Sequence, residues 1–253
     1  ADVTDTTGET RSGSKSVTAG FTTMRAALSS DEWQTVNKPI SLSVSTTSLD
    51  GEALTANGTV TIHRLVAPGK VPRPRLGSRQ WPLPGGAKEN APDLSDPNQW
   101  PLGEVVQRDD FQTDDNGQAT LEVKLSAGEY RAVLDTKDRN GRPVTALLPL
   151  RVLDPASTTF PVRVAQHLSA ASWTLEPGQS LEAIWGTGYD AGRAFVEVEH
   201  RGVIVKRFWT ERGATQQSLT VPVTEEQRGG FTLYITAIRE NRAHLTTRTI
   251  SVP

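Results

Sequence analysis

Cysteine is absent from all 253 residues, which excludes disulfides, thiolate nucleophiles and cysteine-bound metals in one step. The same absence leads us to expect an exported bacterial chain, where an unpaired thiol is a liability. No stretch approaches the ~18 to 20 consecutive apolar residues of a membrane-spanning helix. The first residues are polar and hold no apolar leader, so the chain is expected to begin after processing or to be a piece of something longer. A one-sided charge is missing too. The 27 basic and 29 acidic side chains leave a net charge of -2, too little to draw nucleic acid or an anionic membrane over the whole surface. Catalytic signatures are equally scarce. There is no Gly-x-Ser-x-Gly, no Walker loop and no His-Glu-x-x-His, and His63, His167, His200 and His244 lie apart without metal-ligand spacing. We expect no enzyme, no cofactor and no metal.

What is present is an ordinary globular composition, 36% hydrophobic and 22% charged, long enough for two cores of about 100 residues each. Internal repeats set the architecture. Three hairpin signatures recur, at Ala1–Ala19, Ala132–Val152 and Phe231–Val252, each joining two strand-like runs through a polar turn. A second repeat marks the module starts. Leu28-Ser29-x-x-x-Trp33 is echoed by Leu168-Ser169-x-x-x-Trp173, and each is followed by a proline, Pro39 or Pro177, and then by Ser-Leu, at Ser41-Leu42 or Ser180-Leu181. The phasing predicts one module over Phe21–Leu153, another over Asp154–Pro253, and in Ala1–Gly20 the terminal hairpin of a preceding module or a linker.

Strands are predicted at Ser41–Thr47, Gly58–Leu65, Ala119–Leu125, Tyr130–Thr136 and Thr145–Val152 of the first module. In the second they fall at Ser180–Gly186, Ala194–His200, Val203–Thr210, Gln217–Val223, Phe231–Ile238 and Leu245–Val252. Asn116-Gly117, Asn140-Gly141 and Arg201-Gly202 supply turns between them. Met24–Trp33 is the one run that reads as a short helix, with Trp33 better placed as a plug at one end of the core. The fold expected is all-β, two tandem seven-stranded immunoglobulin- or fibronectin-like sandwiches. The first is longer because of an insertion at Val66–Val105, which carries eight of the 16 prolines and so holds neither a central strand nor a long helix. Loop closure costs roughly 0.6 kcal/mol per doubling of length, so a sandwich tolerates it.

Three motifs bear on chemistry. Gly186-Thr187-Gly188-Tyr189-Asp190-Ala191 fits a dinucleotide fingerprint in form, but a strand pattern follows where a helix N-terminus is required. Asp109, Asp110, Asp114 and Asp115 beside Asn116-Gly117 suggest part of a calcium loop without the twelfth-position glutamate, and read better as a solvated turn. The insertion gathers Arg73, Arg75, Arg79, Trp81 and Trp100, cations interleaved with aromatics, which form a candidate interaction surface for acidic proteins or glycans ahead of single-stranded nucleic acid. The plainer reading has the two tryptophans pinning the loop onto its own sheet while the cations face water.

Leu181–Trp209, the Ala1–Ser14 run and the two Leu-Ser-x-x-x-Trp openings together resemble the macroglobulin-like domains of large bacterial α2-macroglobulins. That resemblance implies tandem macroglobulin-like sandwiches and a scaffold role in a broad endopeptidase inhibitor, exported as a periplasmic, lipid-anchored or cell-surface protein. In such inhibitors a bait segment is cut, the domains rearrange and the protease is trapped, in many members by a thioester. The partners implied are neighbouring domains of the parent and, through the whole protein, target proteases. With no Cys the thioester cannot reside here. The competing reading is a cell-surface adhesin or glycan-binding module using the insertion.

Overall fold

A computed structural model describes residues 20–74 and 92–253 in full and Asp2–Thr4 and Thr10–Ser12 as backbone. Those two short stretches, β1 (Asp2–Thr4) and β2 (Thr10–Ser12), pair antiparallel as a hairpin. The remainder forms two β-sandwiches.

The first sandwich comprises β3 (Met24–Ser29), β4 (Gln34–Thr35), β5 (Ile40–Ser48), β6 (Asn57–Leu65), β7 (Leu102–Gln112), β8 (Gln118–Val123), β9 (Gly128–Lys137) and β10 (Pro143–Leu153). Its sheets run β3-β5-β8 and β4-β10-β9-β6-β7. The second comprises β11 (His167–Ala170), β12 (Ser180–Gly186), β13 (Ala194–His200), β14 (Val203–Trp209), β15 (Gln216–Pro222), β16 (Phe231–Arg239) and β17 (Arg242–Ile250). Its sheets run β11-β12-β15 and β14-β13-β16-β17.

Alternation builds each core. In β5, Ile40, Leu42, Val44 and Thr46 all point inward, as a two-residue period dictates. The first three meet Val60, Ile62, Tyr130, Ala132 and Leu134 from the facing sheet. In the second sandwich Leu181, Ala183 and Trp185 of β12 face Val196, Val198, Leu233 and Ile235. Each such aliphatic or aromatic side chain contributes roughly 1.5–3 kcal/mol by leaving water.

The repeated Leu-Ser-x-x-x-Trp openings occupy the same corner in both sandwiches. Leu28 pairs with Val44 in one sheet, after which the chain crosses and lays Gln34–Thr35 parallel to Val152–Leu153 in the other. Leu168 pairs with Trp185, and past Trp173 the chain crosses likewise, Thr174 bridging Ser251 in parallel. One strand thus serves both sheets, and the tryptophan marks the crossing.

Three expectations change. Met24–Ser29 is a strand, not a helix: Met24 and Leu28 are buried four residues apart, a spacing that a strand also puts on one face. Trp33 packs against a cluster between the sandwiches and not into the first core. The insertion is also shorter than Val66–Val105, because Leu102–Val105 already belong to β7, which among the described residues is an edge strand that pairs only with β6. The proline-rich stretch therefore connects β6 to β7, where the second sandwich needs only the Arg201-Gly202 turn between β13 and β14.

Candidate functional site at the joint

The first sandwich ends at Leu153, and residues 154–166 then cross the outer face of β12. On that face Ile184 and Gly186 alternate with the core residues Ala183 and Trp185. Gly186 leaves no side chain between β12 and the crossing segment: a Cβ there would lie 2.2 Å from the Phe160 ring. A Cβ on Gly188 would lie 2.4 Å from the carbonyl oxygen of Val162. The Gly-Thr-Gly run is thus a seat for the chain's own connector, which accounts for a pattern shared in form with phosphate loops. Thr187 completes the seat, donating from Oγ1 to the Ala165 carbonyl at 2.8 Å, while Gly188 N–H donates to the Val164 carbonyl at 2.8 Å.

Further bonds fasten the connector along its length. Thr215 and Gln216 N–H both donate to the Thr158 carbonyl, at 2.9 and 3.1 Å. Phe160 N–H donates to Thr215 Oγ1 at 3.0 Å, and Gln216 Nε2 donates to the carbonyls of Asp154 and Ser157. Between the sandwiches lies a separate apolar cluster drawn from both and from the connector: Leu65, Trp100, Leu153, Phe160, Val162, Val164 and Ile184, with Trp33 against it. Trp100 is 2% exposed, and its indole N–H donates to the Leu94 carbonyl at 2.7 Å, so its one polar atom is satisfied within its own loop.

A polar bridge spans the same joint. Arg151 on β10 and Glu129 on β9 are cross-strand partners joined by two bonds, Nε to Oε2 at 2.7 Å and Nη2 to Oε1 at 3.2 Å. The remaining Nη1 of Arg151 reaches Nδ1 of His167, in the second sandwich, at 2.7 Å. Because a guanidinium only donates, Nδ1 must accept, and the proton sits on Nε2, which donates to Ser169 Oγ at 2.9 Å. Burial first and the Arg151 cation second push the His167 pKa down to about 3, so the ring is neutral near pH 7. Burial pushes Glu129 upward while Arg151 opposes it. The Phe160 ring stacks on His167 with centroids 5.5 Å apart. A cleft of ≈ 420 Å³ opens beside the bridge, lined among others by Asp31, Trp33, Glu129, Pro149, His167 and Ser169.

Ser169 and His167 stand in hydrogen-bond reach, as a nucleophile and base would. The third partner opposes that chemistry. A general base must become imidazolium, and where a catalytic triad puts a carboxylate on Nδ1 this site puts a cation. The arrangement ties two bodies together and suits no acyl transfer.

Of the interaction surface expected in the insertion, the structure describes Arg73 and Trp100. Trp100 is buried in the joint and offers no face to a ligand. Arg73 sits apart from that cluster, its Nε 3.2 Å from Glu240 Oε2 in the β16–β17 turn. Arg75, Arg79 and Trp81 lie outside the described residues. The aspartate group near Asn116 is a capped turn: Asp114 Oδ1 accepts from Asn116 N–H at 2.9 Å and Gln118 N–H at 2.8 Å, donors that lower its pKa. Asp110 instead accepts from Thr59 Oγ1 and Asp109 from Gln107 Nε2. Among the described residues no three or more His, Asp or Glu side chains gather as metal ligands would. The Glu129–Arg151–His167–Ser169 bridge escaped the sequence reading because its members lie on three strands, the faint local signal being His167 and Ser169 two apart.

The sequence matches no family model and no curated protein. Among solved structures, the chain is similar to Escherichia coli alpha-2-macroglobulin activated by porcine elastase, at 14% identity and a TM-score of 0.36, over 99% of this chain and 24% of that one. It is similar to Salmonella alpha-2-macroglobulin reacted with methylamine, at 13% identity and a TM-score of 0.34, over 90% of this chain and 16% of that one. It is also similar to a tetra-tandem repeat in the extending region of a large adhesion protein, at 16% identity and a TM-score of 0.31, over 99% of this chain and 55% of that one. The chain spans less than a quarter of the two macroglobulins and about half of the adhesion-protein repeat.

Proposed function

We propose that this chain is a structural segment of a bacterial α2-macroglobulin-like protease-trapping protein, with macroglobulin-like modules over 21–153 and 154–253 that hold neighbouring domains at a fixed angle. The observation that carries the reading is the apolar cluster shared by both sandwiches and the connector. Domains within one chain move freely by default, unless a substantial apolar interface couples them. Here a tryptophan from the insertion, a phenylalanine from the connector and an ion pair reaching a histidine all fill the joint. A trap that rearranges when cut needs modules that transmit displacement without bending, and a packed joint supplies that property. The resemblance of Leu181–Trp209 to macroglobulin-like domains supports the same reading, as does the lack of cysteine for an exported chain. Among the described residues of the insertion, Trp100 is buried and Arg73 is paired with Glu240, which lends a glycan-binding role no support.

The full parent protein, mixed with a serine endopeptidase, is expected to suppress digestion of a large protein substrate while hydrolysis of a small amide substrate continues. Unchanged digestion of the large substrate after the parent has been cut would count against the trapping role.

A further inference from the structure

The second sandwich carries a feature that a strut does not use. Among the described residues strand β14 is the edge of its sheet and pairs only with β13, which leaves the other side of its backbone ladder without a described partner. Cross-strand registers place Trp209, Phe195, Thr236 and Leu245 in one row across the outer face of that sheet. Trp209 is 50% and Ile238 71% exposed. At the Trp209 end of β14 a cleft of ≈ 420 Å³ is lined by Arg193, Trp209, Arg212, Thr236, Ile238 and Arg239, with only Ala191, Gly192 and Gly213 besides.

Three arginines and no acidic residue line the cleft, the Arg239 guanidinium lying 5.8 Å from the Tyr189 ring centroid. Among the described residues no acid forms an ion pair with Arg193, Arg212 or Arg239, although nearby Arg163 and Arg73 have Asp190 and Glu240. Arg193 lies over the Trp209 ring at 4.1 Å from its centroid, which holds the indole in place as one side of the cleft. The edge itself bears Lys206 and Arg207 and no acid. The equivalent edge of the first sandwich, β7, carries Glu104, Asp109 and Asp110. The β13–β14 ladder shifts register only at Val198/Glu199, so Lys206–Trp209 run regularly up to the cleft.

We propose that β14 and this cleft form a docking site for an acidic extended peptide segment, supplied by a partner, that adds a strand beside Lys206–Trp209 and places a carboxylate among Arg193, Arg212 and Arg239. An open ladder edge recognises backbone, and alternate side chains of an added strand fall on the face that carries the cleft. The cations then select acid and the Trp209–Ile238 wall selects an apolar neighbour. This inference does not depend on which larger protein the segment serves.

The test is fluorescence anisotropy on the intact chain with a labelled peptide alternating glutamate with valine and phenylalanine. Three comparisons accompany it: the same peptide with glutamine for glutamate, the same peptide with alternate backbone amides N-methylated, and the chain carrying Arg212→Ala with Arg239→Ala. Both arginines are exposed, so the variant keeps its fold, which circular dichroism confirms. Binding of the first peptide is expected, with a loss of about tenfold or more in each of the three comparisons. Equal binding of the glutamine peptide, indifference to N-methylation, or no effect of the double variant overturns the proposal. So does failure of the acidic peptide to bind while a sulfated glycan binds at the same arginines, or self-association of the chain through β14 with no peptide bound.

Discussion

Arg151 Nη1 donates to His167 Nδ1 across 2.7 Å, and in doing so joins the last strand of one sandwich to the first strand of the next. The contact requires a neutral imidazole. Protonation would set two cations against each other within a half-buried joint, next to a carboxylate already committed to Arg151.

That requirement fixes a pH dependence. The folded pKa of His167 is about 3 against an ordinary value of 6.5, so the unfolded chain binds the extra proton first as pH falls. The contribution to stability is complete above pH 6.5 and is lost from there down toward pH 3, by at most about 1.4 kcal/mol per pH unit. Glu129, raised in the folded state, acts with the opposite sign, and His244, lowered by burial, acts with the same sign as His167. Urea unfolding at pH 7 and pH 5 is expected to show a loss that His167→Gln reduces. An identical loss in the variant contradicts the assignment.

Gly186→Ala should destabilise the chain by about 2 kcal/mol or more, because the added methyl meets the buried Phe160 ring at 2.2 Å, a ring packed in the joint cluster. Phe160→Leu in the same chain should return part of that loss. The double-mutant cycle reads the coupling directly, and additive effects would separate the two residues.

Trp100→Ala removes the largest side chain of the joint cluster. The expected cost is about 3–5 kcal/mol if the space stays open. Small-angle scattering of the variant should also report a wider range of inter-module angles. A variant unchanged in both measurements would remove Trp100 from the joint's support.

Arg73→Ala should cost under about 0.5 kcal/mol, since Arg73 and Glu240 are 57% and 42% exposed and such pairs are screened. A chemical denaturation curve shifted well beyond that would mean the pair anchors the insertion.

Much of this fold can be read from residue order alone. Strands β5, β9 and β16 bury alternate apolar residues, and the turns between strands hold Gly117, Gly141 and Gly202 at positive φ. Strand β7 escaped because it lies at an edge with both faces largely wet, so its sequence shows no period. The joint escaped for a different reason. Its parts are scattered from Trp33 to Ile184 and meet only through tertiary packing, and Trp100 sits in a proline-rich stretch whose composition suggests exposure. The aromatic and cationic cleft of the second sandwich lies on strands, at Trp209 and Arg239, where alternation alone does not distinguish an outward face that binds from one that is merely solvated.

Distance distributions from paired spin labels report whether the two sandwiches move as one body. The cysteine-free chain accepts labels only where they are introduced, for example at the exposed positions Asp115→Cys and Glu226→Cys. A single narrow distribution is expected in the native background, broadened by Trp100→Ala. A broad distribution in the native background, unaltered by Trp100→Ala, would contradict the rigid joint.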